Sequence, residues 1–235
     1  MRLLLTRAQP GAGASAERLA RLGHSVLVEP MLRIESLPQP VDLPAPAALV
    51  FTSANGVWAS AKWPAAERWR DVPVFAVGPA TAEACRAAGY RHVRAADGSA
   101  DSLLAAVRNE VDPWSGTILY AVAELPAKDL ESALSASGFA VRRAVAYRAI
   151  PSTHLSMQAR RALAGSAIDA VLFYSERAAA AFVALVEAEA LRHTLENLDL
   201  VALSPQVARP LAGLAPRQLL VAARPDEDAL FACLR

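Results

Sequence analysis

With 235 residues, the chain has room for one large domain or two of ordinary size. Hydrophobic residues make up 54% and charged residues 20%, the balance of a soluble globular chain with a generous core. A formal net charge of +1 argues against a nucleic-acid platform and against a membrane surface held by charge, though not against a local basic cleft.

In chain order, Arg2 to Thr6 reads as a strand, followed by a loop, a helix to about Leu22, Gly23 as its C-cap and a strand from His24 to Glu29. Residues 30 to 46 crowd together Pro30, Pro38, Pro40, Pro44 and Pro46, which excludes a helix or a central strand and predicts an extended linker. Strand and helix then alternate. Strands are expected at Ala47–Thr52, Val74–Val77, His92–Ala95, Thr117–Tyr120 and Phe139 to about Arg148. Intervening helices include one from Pro79 to Ala88 and one ending near Ser137, capped by Gly138. Beyond a second break at Pro151 come strands at Ala170–Tyr174, Leu200–Leu203 and Gln218–Ala222, each leading into a helix. Such alternation predicts parallel α/β sheets.

The pattern repeats. LVFTSANGV at 49–57 returns in DAVLFYSERAAAAF at 169–182, with Ser175 standing 122 residues after Ser53. RLLLT resembles TILYA, and Gly23 matches Gly138. VFAVGPATAEAC resembles LVALSPQVARPL, and RHVRAADGSADSLLAAV resembles QLLVAARPDEDALFACL. The strand types therefore run A B C D E A B C D E. A single cut near residue 115 would give two consecutive domains. Breaks where the prolines lie give instead a middle domain, 41–145, and an outer one made of 1–34 with 153–235, linked by 35–40 and 146–152. The second partition is preferred, because 112–116 is merely a turn. The expected fold is α/β: two doubly wound, flavodoxin-like parallel-sheet domains of five βα units each, joined by a two-stranded connector and hinged about a cleft.

The carboxyl ends of the strands collect Thr6, Ser53, Gly78, Thr81, Ser175 and Ser204, and Ala54 and Asn55 follow Ser53 into a helix. Two readings are open. Small residues at such corners can simply satisfy turns and N-caps. Alternatively, hydroxyls and free backbone N–H groups can line a cleft for a ligand with several carboxylates or phosphates. Arg7, directly after the first strand, suits an anion better than a solvated surface does. Tyr147 can pack an interface or donate a proton into the cleft.

Other chemistry is poorly supported. GAGASA at 11–16 fits G-x-G-x-x-A, and Glu29 ends the second strand, but Arg7 to Pro10 intervene where a dinucleotide turn needs its glycine almost directly. No Walker sequence or G-x-S-x-G elbow occurs. His24, His92, His154 and His193 are scattered without metal spacing, and Cys85 and Cys233 read as buried, inert thiols. No run approaches a membrane span, and the opening lacks the form of a signal peptide, so a cytoplasmic protein is expected.

The segments TR at 6–7, FTSANGV at 51–57, VFAVGPATA at 74–82, AYR at 146–148, LFYS at 172–175 and LSP at 203–205 resemble the uroporphyrinogen-III synthase family over nearly the whole chain. That resemblance implies a cofactor-free, metal-free enzyme, a monomer, whose substrate is hydroxymethylbilane, a linear tetrapyrrole rich in carboxylates. Loss of its terminal hydroxyl gives an azafulvene, the last pyrrole inverts through a spiro intermediate, and the ring closes as uroporphyrinogen III. By position, Tyr147 matches the family's cleft tyrosine, the candidate proton donor, and Ser53, Thr81 and Ser175 match its hydroxyl positions. Two corners depart from the pattern: 121–124 reads AVAE, and Ser204, Gln206 and Val207 replace a glycine and threonines. The alternatives are a non-enzymatic, two-domain anion-binding or sensor protein and, third, a nucleotide-dependent oxidoreductase.

Overall fold

The computed structural model describes residues 1–125 and 130–234. Its strands are β1 (Arg2–Leu5), β2 (Ser25–Val28), β3 (Leu32–Ser36), β4 (Pro46–Phe51), β5 (Val74–Ala76), β6 (Val93–Ala95), β7 (Thr117–Ala123), β8 (Ala140–Pro151), β9 (Ala170–Phe173), β10 (Asp199–Ala202) and β11 (Gln218–Val221). The α-helices are α1 (Gly11–Arg21), α2 (Ala54–Ser60), α3 (Pro79–Ala87), α4 (Ala100–Glu110), α5 (Leu130–Ala136), α6 (Met157–Ala164), α7 (Glu176–Ala188), α8 (Pro205–Ala208) and α9 (Glu227–Phe231).

The chain divides into two compact units. One combines Met1–Arg33 with Ile150–Arg235, and the other is Ile34–Ala149. In the first, five strands lie in the order β2-β1-β9-β10-β11, every neighbouring pair parallel. The second has six strands, β3-β8-β7-β4-β5-β6, with parallel pairing from β8 through β6. Leaving β3 aside, the strand types follow the same spatial order, B-A-C-D-E, in both sheets. The doubly wound α/β fold is thus borne out. In each unit the order reverses between types A and C, and ligands of such sheets sit outside the carboxyl ends of the strands at that switch point.

Strands of such a sheet are covered on both faces, so they read as continuous apolar runs. In the six-stranded unit the faces sort by alternate residues. Leu49, Phe51, Leu119, Ala121 and Ala123 join Val57, Ala82 and Cys85 on one side. Ala48, Val50, Ile118, Tyr120 and Val122 join Leu103, Val107, Leu130 and Leu134 on the other. Each fully buried aliphatic side chain contributes about 1.5–3 kcal/mol. Gly23 and Gly138 end their helices with φ of +85° and +88°, the left-handed conformation that favours glycine. At the amino end of the five-stranded sheet, Arg2 clamps Asp169 (Nη2 to Oδ1, 2.6 Å) and Arg217 clamps Asp199 (Nη2 to Oδ2, 2.7 Å). The Arg2 hydrogen bonds hold the Asp169 carboxyl below its usual range. The carboxyl end is left for the corners.

Three differences from the sequence reading stand out. The proline-rich stretch contains a strand after all, β3, at the sheet edge, where prolines before and after it remove no ladder bond. Strand β8 runs past the end expected near Arg148, to Pro151 as its last residue. Helix α6, absent from the sequence reading, fills the return to β9. Its cap is Ser156, whose Oγ accepts from Ala159 N–H at 3.1 Å.

Candidate functional site

In the six-stranded unit, type C ends at Phe51 and turns through Ser53, whose Oγ accepts the N–H of Asn55 at 3.1 Å and caps α2. Ala54 and Asn55 form the first turn, half-exposed. The helix then lies hard on β7: a Cβ at Gly56 would stand 3.0 Å from the carbonyl oxygen of Ala121. That explains the glycine of FTSANGV. Next along the edge, Gly78 caps α3 with extended backbone, and Pro79 occupies the first helical position. A Cβ at Gly78 would come 3.3 Å from the Gly98 Cα, so the type D and E corners are in close approach. Thr81 lies in the first turn of α3, buried.

Tyr147 belongs to the same edge. It pairs with Ala123, the last residue of β7, just past a register shift at Val122/Ala123, and its carbonyl accepts the Glu124 N–H at 2.9 Å. Phe51 pairs two residues earlier on β7, with Ala121. Tyr147 therefore sits beyond the carboxyl end of β4, near the switch point, and its ring is buried in the cluster that holds Phe51, Val57 and Ala121. Six of the expected site residues, Ser53, Ala54, Asn55, Gly78, Thr81 and Tyr147, come together at one end of this sheet.

The five-stranded unit repeats the caps. Ser175 Oγ accepts from Ala178 N–H at 3.2 Å, and Ser204 Oγ from Val207 N–H at 3.4 Å. The turn-and-cap reading of these serines is thus realised, while each hydroxyl keeps a proton to donate. Thr6 has a different task from the one expected of it. It is fully buried, and its Oγ1 donates to the Leu172 carbonyl at 2.7 Å, tying β1 to β9.

Arg7 is not a lone anion ligand either. Its Nη1 donates to Ser15 Oγ at 2.7 Å and pairs with Glu227 Oε1 at 2.6 Å, and its guanidinium lies 4.8 Å from the centre of the Tyr174 ring. Glu227 also accepts from Ser15 Oγ and pairs with Arg18 Nη1 at 2.7 Å. Burial pushes the Glu227 carboxyl up. The Ser15 hydrogen bond and the Arg7 and Arg18 charges outweigh it, leaving the group below its ordinary value. Burial raises the Tyr174 phenol, with the Glu227 charge adding to it; the hydroxyl lies beside Ser15 and Glu227 without a well-formed hydrogen bond among the described residues. Sequence reasoning missed Ser15, Arg18, Tyr174 and Glu227. GAGASA, read as a failed dinucleotide turn, covers Ser15 alone, and LFYS covers Tyr174 without giving it a role.

The remaining candidates are structural. Glu29 is buried, accepting from Ser156 N–H at 2.7 Å and Ser156 Oγ at 2.6 Å, so it anchors the start of α6 and is unavailable to a ribose. No group of three or more His, Cys, Asp or Glu able to hold a metal occurs among the described residues. Burial pushes the Cys85 thiol up to about 12, an inert thiol. No described helix is long and apolar enough to cross a membrane.

Comparison with known proteins agrees with this arrangement. The chain is similar to a crystal structure of uroporphyrinogen-III synthetase from Helicobacter pylori 26695, at 18% identity and TM-score 0.62 over 99% of this chain and 98% of that one. It is similar also to a mutant uroporphyrinogen III synthase from the extremely thermophilic bacterium Thermus thermophilus, at 20% identity and TM-score 0.55 over 100% and 96%. No curated protein sequence matches. The model of the family described as uroporphyrinogen-III synthase HemD matches residues 13–232, and the chain belongs to that family.

Proposed function

We propose that this chain is a cofactor-independent hydro-lyase that converts hydroxymethylbilane to uroporphyrinogen III with inversion of the terminal pyrrole and loss of one water. The family makes it an enzyme of tetrapyrrole biosynthesis acting on a small molecule. The observation that carries the finer reading is the position of Tyr147 beside the carboxyl end of β7, on the edge that holds Ser53, Gly78 and Thr81. Its phenol protonates the departing hydroxyl, which leaves as water, and the protonated azafulvene (azafulvenium) that remains beside the phenolate is the electrophile. Attack by the substituted carbon of the terminal pyrrole forms the spiro centre; fragmentation and reclosure then invert that ring. Loss of a proton from carbon rearomatises the pyrrole and returns the proton to the phenolate.

The other groups bind. Hydroxyls of Ser53, Thr81, Ser175 and Ser204, backbone at Ala54 and Gly78, the Asn55 side chain and Arg7 hold substrate carboxylates, so that geometry rather than a strong nucleophile supplies most of the rate. The enzyme acts as a cytoplasmic monomer. The family match does not favour the non-enzymatic binding-protein reading. The test is a coupled assay in which hydroxymethylbilane is generated in place and the products are oxidised and separated by isomer. Dominant isomer III is expected; isomer I alone, as without protein, overturns the reading.

A further inference from the structure

The duplication allows the chain to serve as its own control. Residues of β1 and α1 correspond to those of β7 and α5 at an offset of 115, fixed by Gly23 against Gly138 and by the registers of β1 on β9 and β7 on β4. Arg7 then falls on Val122 and Ser15 on Leu130. The N-caps Asp226 and Ser99 align α9 with α4, so Glu227 falls on Ala100. In the six-stranded unit these counterparts are apolar: Val122 and Leu130 lie in one core cluster, with Ala100 packed against it. The same place in the fold is filled once by hydrocarbon and once by a half-buried ion pair.

The fold does not need charge at this place. Exchanging a buried ion pair for well-packed apolar residues is commonly neutral or stabilising, because desolvation consumes the Coulombic gain. The network stands at the switch point, where Arg7 follows β1 and Tyr174 follows β9. Both hydrogen bonds of Arg7 to described residues use Nη1. The Nε–Nη2 edge, whose two parallel N–H groups match a carboxylate, is not used by them.

We propose that Glu227 is a positioning residue for Arg7: with Ser15 it fixes Nη1 of a guanidinium held over the Tyr174 ring, so that the Nε–Nη2 edge receives one carboxylate of the tetrapyrrole. This rests on the substrate reading above. Arg18 holds the second oxygen of Glu227, and its own guanidinium lies 5.1 Å from the centre of the Phe231 ring, so the positioning group is itself braced.

The test is a double-mutant cycle on binding of uroporphyrin III, a cyclic polycarboxylate, followed by its fluorescence and so independent of turnover. Glu227→Gln is expected to weaken Kd about tenfold, the loss of one well-placed charged hydrogen bond. Arg7→Val should weaken it at least as much, and adding Glu227→Gln to Arg7→Val should change nothing further. A triple change to the other unit's residues, Arg7→Val, Ser15→Leu and Glu227→Ala, should keep Tm within a few degrees of the parent and bind like Arg7→Val alone. An unchanged Kd in Glu227→Gln, or losses that add in the double variant, overturns the proposal. If the triple variant unfolds, the network is structural and the proposal falls too. Isomer I alone from the parent protein would remove the synthase reading, while the Kd cycle still decides the role of Glu227.

Discussion

The absent side chain of Gly56 faces the Ala121 carbonyl oxygen, with 3.0 Å between that oxygen and the place a Cβ would take. In a solvent-facing helix, alanine at such a position would gain up to about 1 kcal/mol over glycine. Here the obstacle is β-sheet backbone, which cannot swing aside as a side chain can. Gly56→Ala should therefore lift α2 from β7 at an overpacking cost of about 1–3 kcal/mol. Thermal unfolding should show a Tm lower by a few degrees. A Tm unchanged or raised would mean that the helix shifts freely.

Tyr147 and the corner serines make a contrast within one protein. Removing a phenol that protonates the leaving group should lower kcat of Tyr147→Phe about 100-fold or more. Ser53→Ala and Ser175→Ala each lose a cap worth about 1 kcal/mol of stability, with kcat falling only severalfold. Equal small losses in all three would assign catalysis to positioning alone.

The Glu227 network should also be visible in the pH dependence of stability. A carboxyl held below its ordinary 4.5 stabilises the folded state above that value, where it is ionised in both states. The contribution is withdrawn as pH falls through the lower, folded value. Tm of the parent should thus exceed that of Glu227→Gln near neutrality, and the two should converge in acid as pH falls through that lowered value. Parallel curves throughout would show that Glu227 ionisation does not couple to folding.

Thiol labelling provides a simpler check. Cys85 is fully buried, with a thiol pushed up to about 12, whereas Cys233 is only half-buried. At pH 8 a thiol reagent should modify Cys233 alone in the native protein, and both cysteines after denaturation. Fast native modification of Cys85 would show that the α3 face opens readily.

Much of this was legible in the sequence. Apolar runs ended by small residues placed every described strand except β3, and matched segments such as FTS and FYS gave the duplicated doubly wound fold, because core faces and caps depend on short-range patterns. Helix α6 was hidden because Met157–Ala164 carries three charged or amide side chains, and only Ala159 and Leu163 are buried. Strand β3 was hidden by its proline flanks. At the site, Ser53, Ser175 and Ser204 were found as corner residues through their repetition. Glu227 was not, since it meets Arg7 across 220 residues and no local pattern marks the pairing. Read across the duplication, though, Val122 and Ala100 against Arg7 and Glu227 would have marked a correlated exchange.

The division of the chain has a consequence for synthesis. Residues 34–149 form one uninterrupted unit and can assemble as soon as they leave the ribosome. β1 is less fortunate: one of its two neighbours is β9, which begins at Ala170. At about 5–20 residues per second, the bare flank of Leu3–Leu5 waits roughly 10–30 s for its partner. During that interval the nascent chain carries an open apolar ribbon edge, which makes the early β1–β2 pair the natural client for a chaperone.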